Sequence, residues 1–279
     1  LSVVGYPTDR VVRYVEDNPA LGERAVGTQV DPNSFAGVLV VIIAFTAVQL
    51  LARKALFPRW LLAGMVVLDV AALVLTGSRT ALLGVIAVGV FVGTMRYRRL
   101  WVWGVAGAVL IAALGVGSGY FGRVVSGLRF EDRANLMRLD EYNNAIQIIG
   151  RYPVFGVGFG LSGELDLTTG VSSVYLTIAE RAGLVGLAAY LLTVGVLLAN
   201  LIPAIVVSHR RAPPQGSGSE KEWALLDSAL LGGTAAIVGA LVVGVADHYY
   251  FNIEFPHAVA LFWLAGGVAL AARRIGIGE

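Results

Sequence analysis

Arg79 in TGSRTALLG and Arg138 in NLMRLDEYNN are the two cations whose placement suggests chemistry. The 17 positions from Arg79 to Arg96, at about 1.5 Å each, span roughly 25 Å, less than the apolar thickness of a bilayer. The Arg79 guanidinium therefore belongs near a membrane boundary rather than in bulk water. Held there, its planar fork suits a phosphate, which it pairs through two parallel hydrogen bonds; it equally suits an interfacial anchor that snorkels to the headgroups. Arg138 reaches the same zone on a helix, with Glu141 one turn on to orient it, or is a charge on a solvated helix face. The stretch DHYYFNIEFPH sets Asp247, His248 and Glu254 beside aromatics between two apolar runs. An acid beside an imidazole that titrates near neutrality can serve as a general base, while the aromatics fit an interfacial belt. Ser172, Leu176 and Glu180 fall at i, i+4 and i+8, which puts a hydroxyl and a carboxyl on one helix face. Nothing nearby in sequence activates that serine, because the histidines are His209, His248 and His257. Asp69 falls in the middle of an apolar run, where it lines a polar cavity or sits as a neutral carboxyl bonded to a neighbouring helix.

The surrounding composition says what positions these groups. Hydrophobic residues make up 57% of the 279 and charged residues 14%, with a mean hydropathy of +0.74. A chain with so few charges cannot cover a water-facing surface, and its apolar runs match the length a helix needs to cross a bilayer. Spans are expected at Ser34–Ala52, Trp60–Gly77, Thr80–Met95, Leu100–Tyr120, Ala182–Val207, Trp223–Val245 and Pro256–Ala272. The fold class is thus all-α, a polytopic membrane bundle. Its parts are an extracytoplasmic segment over 1–33, four spans over 34–120, a large extracytoplasmic loop over 121–181, and three spans with a cytoplasmic tail over 182–279.

Charge sets the sidedness. The stretches 53–59, 96–99, 209–221 and 273–274 carry 3, 3, 3 and 2 basic residues, including both lysines, and should be cytoplasmic. The other ten basic residues, all Arg, then lie outside with the N-terminal segment. With no initiator Met and no signal pattern before the first span, the chain reads as a fragment that follows an odd number of upstream spans. Within the large loop, Leu136, Leu139, Tyr142, Ile146 and Ile149 recur at helical spacing, as in an amphipathic helix at the interface. The following RYPVFGVGFG ends it with Pro153 and alternating Gly156, Gly158 and Gly160, permitting a tight backbone path. These glycines are not a nucleotide loop, since no strand precedes them and no Lys-Ser/Thr follows. Cysteine is absent, which removes thiol nucleophiles, disulfides and thiolate metal sites.

In order, RAVGTQVDPNSFAG, LTGSRTALLG, RLDEYNNAIQIIGRYPVFGVGFG and SSVYLTIAERAGLVG resemble the O-antigen ligase and polymerase superfamily, over about Arg24 to Leu192. The resemblance implies a GT-C-like glycosyltransferase that needs no metal or other cofactor. It implies as partners a glycan carried on undecaprenyl diphosphate, a glycan or lipid acceptor and the membrane lipids, at the outer face of the cytoplasmic membrane, and no nucleic acid. Arg79 corresponds to the family's arginine after Gly-Ser, and Arg138 to its arginine ahead of Trp-x-x-Ala, here Tyr142 to Ala145; both are expected on the diphosphate, together with Arg24. The family's histidine falls on Ser172, which cannot act as a base at neutral pH. The member is then either inactive in the usual sense or draws its base from His248, Asp247 or Glu180, and Glu180, in the family's Glu-x-Gly-like position, reads as structural before catalytic. A transporter or lipid-binding protein is the reading from another class, and it requires polar groups continuing from one face to the other.

Overall fold

The computed structural model describes residues 24–27, 29, 31–102, 104–106, 133–159, 171–251 and 256–277. Among the described residues the architecture is carried by α1 (Pro32–Leu51), α2 (Arg59–Thr76), α3 (Arg79–Met95), α4 (Arg133–Arg151), α5 (Val174–Arg210), α6 (Glu220–Val243) and α7 (Pro256–Ile277), with a 3₁₀ turn at Tyr249–Phe251. Among the described residues there is no strand. Five helices among the described residues are long and apolar enough to cross a membrane, and α3 is a shorter apolar helix of 17 residues. The expected span over 100–120 is helical where it starts, and lies outside the described residues from 107 onward. Segment 1–23, most of the loop before Arg133, Gly160 and Glu254 also lie outside them.

Helix α6 is the hub. Its central window is 72% buried, against 17% for α2, and it packs on α1, α3 and α7. Lipid gives helices no hydrophobic reason to associate, so contact comes from close backbone approach at small residues. A Cβ at Gly239 would lie 2.7 Å from Val88, one at Gly84 2.6 Å from Val243, and one at Gly233 2.6 Å from the Ala265 carbonyl. Arg96 closes the bundle at one end. It pairs with Asp227 through Nη1 at 2.9 Å and Nη2 at 2.7 Å, and Ser208 Oγ donates to the same carboxylate at 2.6 Å, tying α3, α5 and α6 together.

The span expected from Ala182 starts instead at Val174, and its helix is broken at Gly183, where φ is 70° and ψ −175°. A break inside a membrane helix must re-satisfy the backbone groups it frees. The glycine loop after α4 does this. Val157 and Gly158 N–H donate to the Glu180 and Arg181 carbonyls at 2.9 and 2.8 Å, while Leu184 and Val185 N–H donate to Pro153 and Val154 carbonyls at 2.8 and 3.3 Å. Alternating glycine in RYPVFGVGFG thus serves an interlock of two backbones, with the Cβ position of Gly156 lying 2.4 Å from the Glu180 carbonyl oxygen.

Two further segments show which side chains dock. On α4, Ala145 and Ile148 are buried, whereas Leu139 and Ile146, on the expected apolar face, are exposed. The docked stripe is Arg138, Glu141, Ala145 and Ile148, so docking turns two charged side chains toward the bundle. Tyr249 and Tyr250, read as an interfacial belt, are core residues. The Tyr249 ring fills the space a Cβ at Gly37 would take, and Tyr250 Oη donates to the Gly37 carbonyl at 2.7 Å.

Candidate active site

Antiparallel threading brings one set of helix ends together: residues 24–31, the α2–α3 turn, the start of α5 with the docked face of α4, and the α6–α7 connection. Of the described candidates, Arg24, Arg79, Arg138, Glu141, Ser172, Asp247, His248 and His257 lie at this end and Glu180 lies two turns into α5, whereas Asp69 and His209 lie elsewhere.

Ser172 is not on the helix. The cap is Ser173 in extended conformation, so helical spacing does not relate Ser172 to Glu180, and the shared face expected of them does not form. Ser172 turns instead to α4: its Oγ and its backbone N–H both donate to Glu141 Oε2, at 2.7 and 3.0 Å, and Tyr142 Oη donates to its carbonyl at 3.2 Å. Glu141, expected to orient Arg138, thus anchors Ser172 as well as the helix that carries Arg138. The start of α5 is tied to the end of α6 by Val174 N–H to the Gly244 carbonyl at 2.8 Å. Glu180 is 1% exposed at the helix break, its carboxylate 3.8 Å from Arg181 Nε. Its setting is the interlock, away from Ser172.

Asp247 is buried, and its Oδ1 accepts the Tyr249 N–H at 3.0 Å. Burial raises this carboxyl above its ordinary range, and nearby Asp31 raises it further; the His248 charge, the Tyr249 N–H and Arg138 work the other way without cancelling the rise. Arg138 is therefore within electrostatic reach of the Asp247–His248 pair, and it is half-buried. His248 is also half-buried, and its Nδ1 is buried with no hydrogen-bond partner among the described residues. No hydrogen bond from Asp247 orients that nitrogen. His257 Nε2 is 2.8 Å from Gln29 Oε1, and its ring lies edge-on to Tyr249.

A raised folded-state pKa means that the native protein holds the Asp247 proton to higher pH than the unfolded chain does. Stability from this group is then complete below the unfolded value near 3.9 and lost as pH climbs through the folded value. Asp247→Asn, which does not titrate, should therefore melt higher relative to the parent at pH 8 than at pH 5. Melting curves in detergent at both pH values check this, and a difference that shrinks with rising pH would contradict it.

Arg24 and Arg79 flank the α2–α3 turn. Arg24 Nε donates to the Thr76 carbonyl and Nη2 to Asn33 Oδ1 at 3.0 Å, across the start of α1. Gly77 ends α2 with φ 64°, and Ser78 caps α3 by accepting the Ala81 N–H. Arg79 is the first residue of α3 and half-buried. A cation at a helix N-terminus opposes the helix dipole, a cost that a bound anion would offset while meeting the first N–H groups of the helix. Asp31, which the sequence reading passed over, caps α1 by accepting the Asn33 and Ser34 N–H groups at 2.9 and 3.0 Å. Its signal was legible as an Asp-Pro directly before an apolar run.

Residues 64–191 match the family model of the O-antigen ligases. That stretch, a little under half of the chain, is similar to the O-antigen ligases. That match covers Arg79, Arg138, Glu141, Ser172 and Glu180, and with the apolar helices it supports a multi-pass membrane protein similar to the membrane glycosyltransferases of the O-antigen ligase kind. Asp247 and His248 lie beyond the matched stretch. No curated protein matches the chain.

Proposed function

We propose that the chain transfers a glycan from undecaprenyl diphosphate to a hydroxyl acceptor at the outer face of the cytoplasmic membrane. The observation that carries the reading is the half-buried pair of arginines, Arg79 at a helix N-terminus and Arg138 on the docked face of α4, at the bundle end that also holds an uncommitted histidine nitrogen. The arginines hold the diphosphate and offset the charge that grows on it as the bond from the anomeric carbon to the diphosphate oxygen breaks. The acceptor oxygen attacks that carbon from the opposite side, inverting it. His248 takes the acceptor's proton, and undecaprenyl diphosphate leaves with the bonding electrons. Ser172 holds Glu141, and through it the helix bearing Arg138. Arg24 supports this end by fixing the turn that presents Arg79, and Glu180 belongs to the interlock beneath. The transporter reading gains nothing: between the two polar ends α6 packs through Leu230, Leu231, Ala235, Ala236 and Ile237, all buried.

The test uses membranes from cells expressing the complete gene, supplied with undecaprenyl-diphosphate-linked glycan and acceptor. One undecaprenyl diphosphate should appear per glycan transferred, and chelator should leave the rate unchanged. His248→Gln should lower turnover by about 10²–10⁴-fold while leaving donor retention intact, as for removal of a general base. Full turnover in that variant would remove His248 from the mechanism, and no donor consumption by the parent would remove the reaction.

A further inference from the structure

The end of the bundle opposite the candidate site holds a second cluster that glycan transfer does not use. Arg53, Arg96, Tyr97, His209, Trp223 and Asp227 line a cavity of about 130 Å³ between the ends of α1, α3, α5 and α6. Its acceptors are already engaged. Asp227 takes both Arg96 terminal nitrogens and Ser208 Oγ, and the Ser208 carbonyl takes Trp223 Nε1 at 3.2 Å. Its donors are in surplus. The Arg96 side chain is 5% exposed, yet its Nε is buried with no hydrogen-bond partner among the described residues. Burial pushes the Tyr97 phenol up, so it stays a proton donor at neutral pH. The Arg53 guanidinium lies 5.4 Å from the centre of the Trp223 ring, and its charge is not cancelled by the Arg96–Asp227 pair. The cavity thus presents one buried guanidinium N–H without a partner among the described residues, a half-buried phenol and the exposed Arg53 guanidinium, with room for several waters, a donor set that suits an oxyanion.

We infer that this cavity seats a phosphate oxyanion, supplied by the headgroup of an anionic phospholipid in the adjacent leaflet. Position favours the lipid over the free ion: the cavity opens where membrane helices end, beside a tryptophan, and Arg53 and Arg96 line it. Inorganic phosphate shares the oxyanion but brings no acyl chains to hold it at that level. The inference is independent of the reaction proposed for the other end.

Thermal unfolding of the purified full chain in detergent tests it, with added dioctanoyl phosphatidylglycerol, dioctanoyl phosphatidylcholine or inorganic phosphate as probes. The melting midpoint should rise saturably with phosphatidylglycerol and far less with phosphatidylcholine. Arg53→Gln should weaken half-saturation about tenfold, as for loss of one charged hydrogen bond. His209→Ala, a smaller change to the same wall, should weaken it in the same direction. Arg99→Gln, at the same end but outside the cavity, should leave it alone. Inorganic phosphate reproducing the response would keep the site and assign it to the free ion. No response to any probe, an equal response to both lipids, a response indifferent to Arg53→Gln, or one that Arg99→Gln weakens as much would overturn the inference.

Discussion

Alanine at Arg138 is expected to lower glycan transfer by about 10²–10³-fold, and alanine at Arg79 by a similar factor, the usual effect of deleting one preorganised group that meets developing charge. The two losses should not multiply. If both guanidiniums hold one diphosphate, removing either leaves the other poorly placed, and the double variant should fall short of the product of the singles. Lysine at either position keeps charge but not the bidentate fork, so Arg138→Lys should recover only part of the rate. Arg24→Ala should behave differently, since Arg24 spends its donors on Thr76 and Asn33. Its cost should appear in the melting midpoint before it appears in turnover. Surface glycan on gels, in cells carrying the complete gene, reads the first effects, and unchanged glycan in both arginine-to-alanine variants would sink the clamp.

The helices were legible in the sequence because an apolar run of this length leaves the backbone few options. Each apolar run from Pro32 to Ile277 that the structure describes is a helix within a few residues of its expected ends, α5 excepted. Hydropathy does not carry the information for that exception. Whether VYLTIAERAGL continues a helix or breaks depends on whether other backbone can satisfy the freed carbonyls, and the loop that does so lies about 25 residues earlier, at Pro153 to Gly158. Periodicity on α4 marked the apolar face expected at the membrane interface and not the face that docks. Leu139 and Ile146 are exposed because a membrane protein can turn apolar side chains to lipid, leaving a stripe that includes Arg138 and Glu141 to dock. At the site, residue types were readable and partnerships were not. Glu141 was visible one turn from Arg138, but its bonds to Ser172 cross a stretch of chain whose path no local pattern encodes. The Arg96–Asp227 pair joins residues 131 apart in sequence, and charge counting marked Arg96 only as a loop cation.

Alanine at Gly183 should be the most damaging single methyl in the chain. Its backbone, with φ 70° and ψ −175°, lies in a region that essentially only glycine occupies, and a Cβ there would stand 2.1 Å from the Val154 carbonyl oxygen. Strain and overlap with backbone add, because neither partner is a flexible side chain that can move aside. A loss upward of about 3 kcal/mol is expected. Gly156→Ala should follow, with φ 66° and a Cβ 2.4 Å from the Glu180 carbonyl oxygen. Gly158→Ala isolates strain from overlap: φ is 78°, but nothing lies within 4 Å, so about 1–2 kcal/mol is expected. Gly150 lies within α4, with no neighbour within 4 Å, and alanine there should stabilise by about 0.5–1 kcal/mol. Thermal unfolding in detergent gives the ranking, and Gly183→Ala melting with Gly158→Ala would show that the two backbones do not interlock. The order also bears on the candidate site, since the same interlock fixes α4 against α5. Once it opens, Glu141 loses its register with Ser172, so transfer should fall in the order of stability even though none of these glycines touches the glycan.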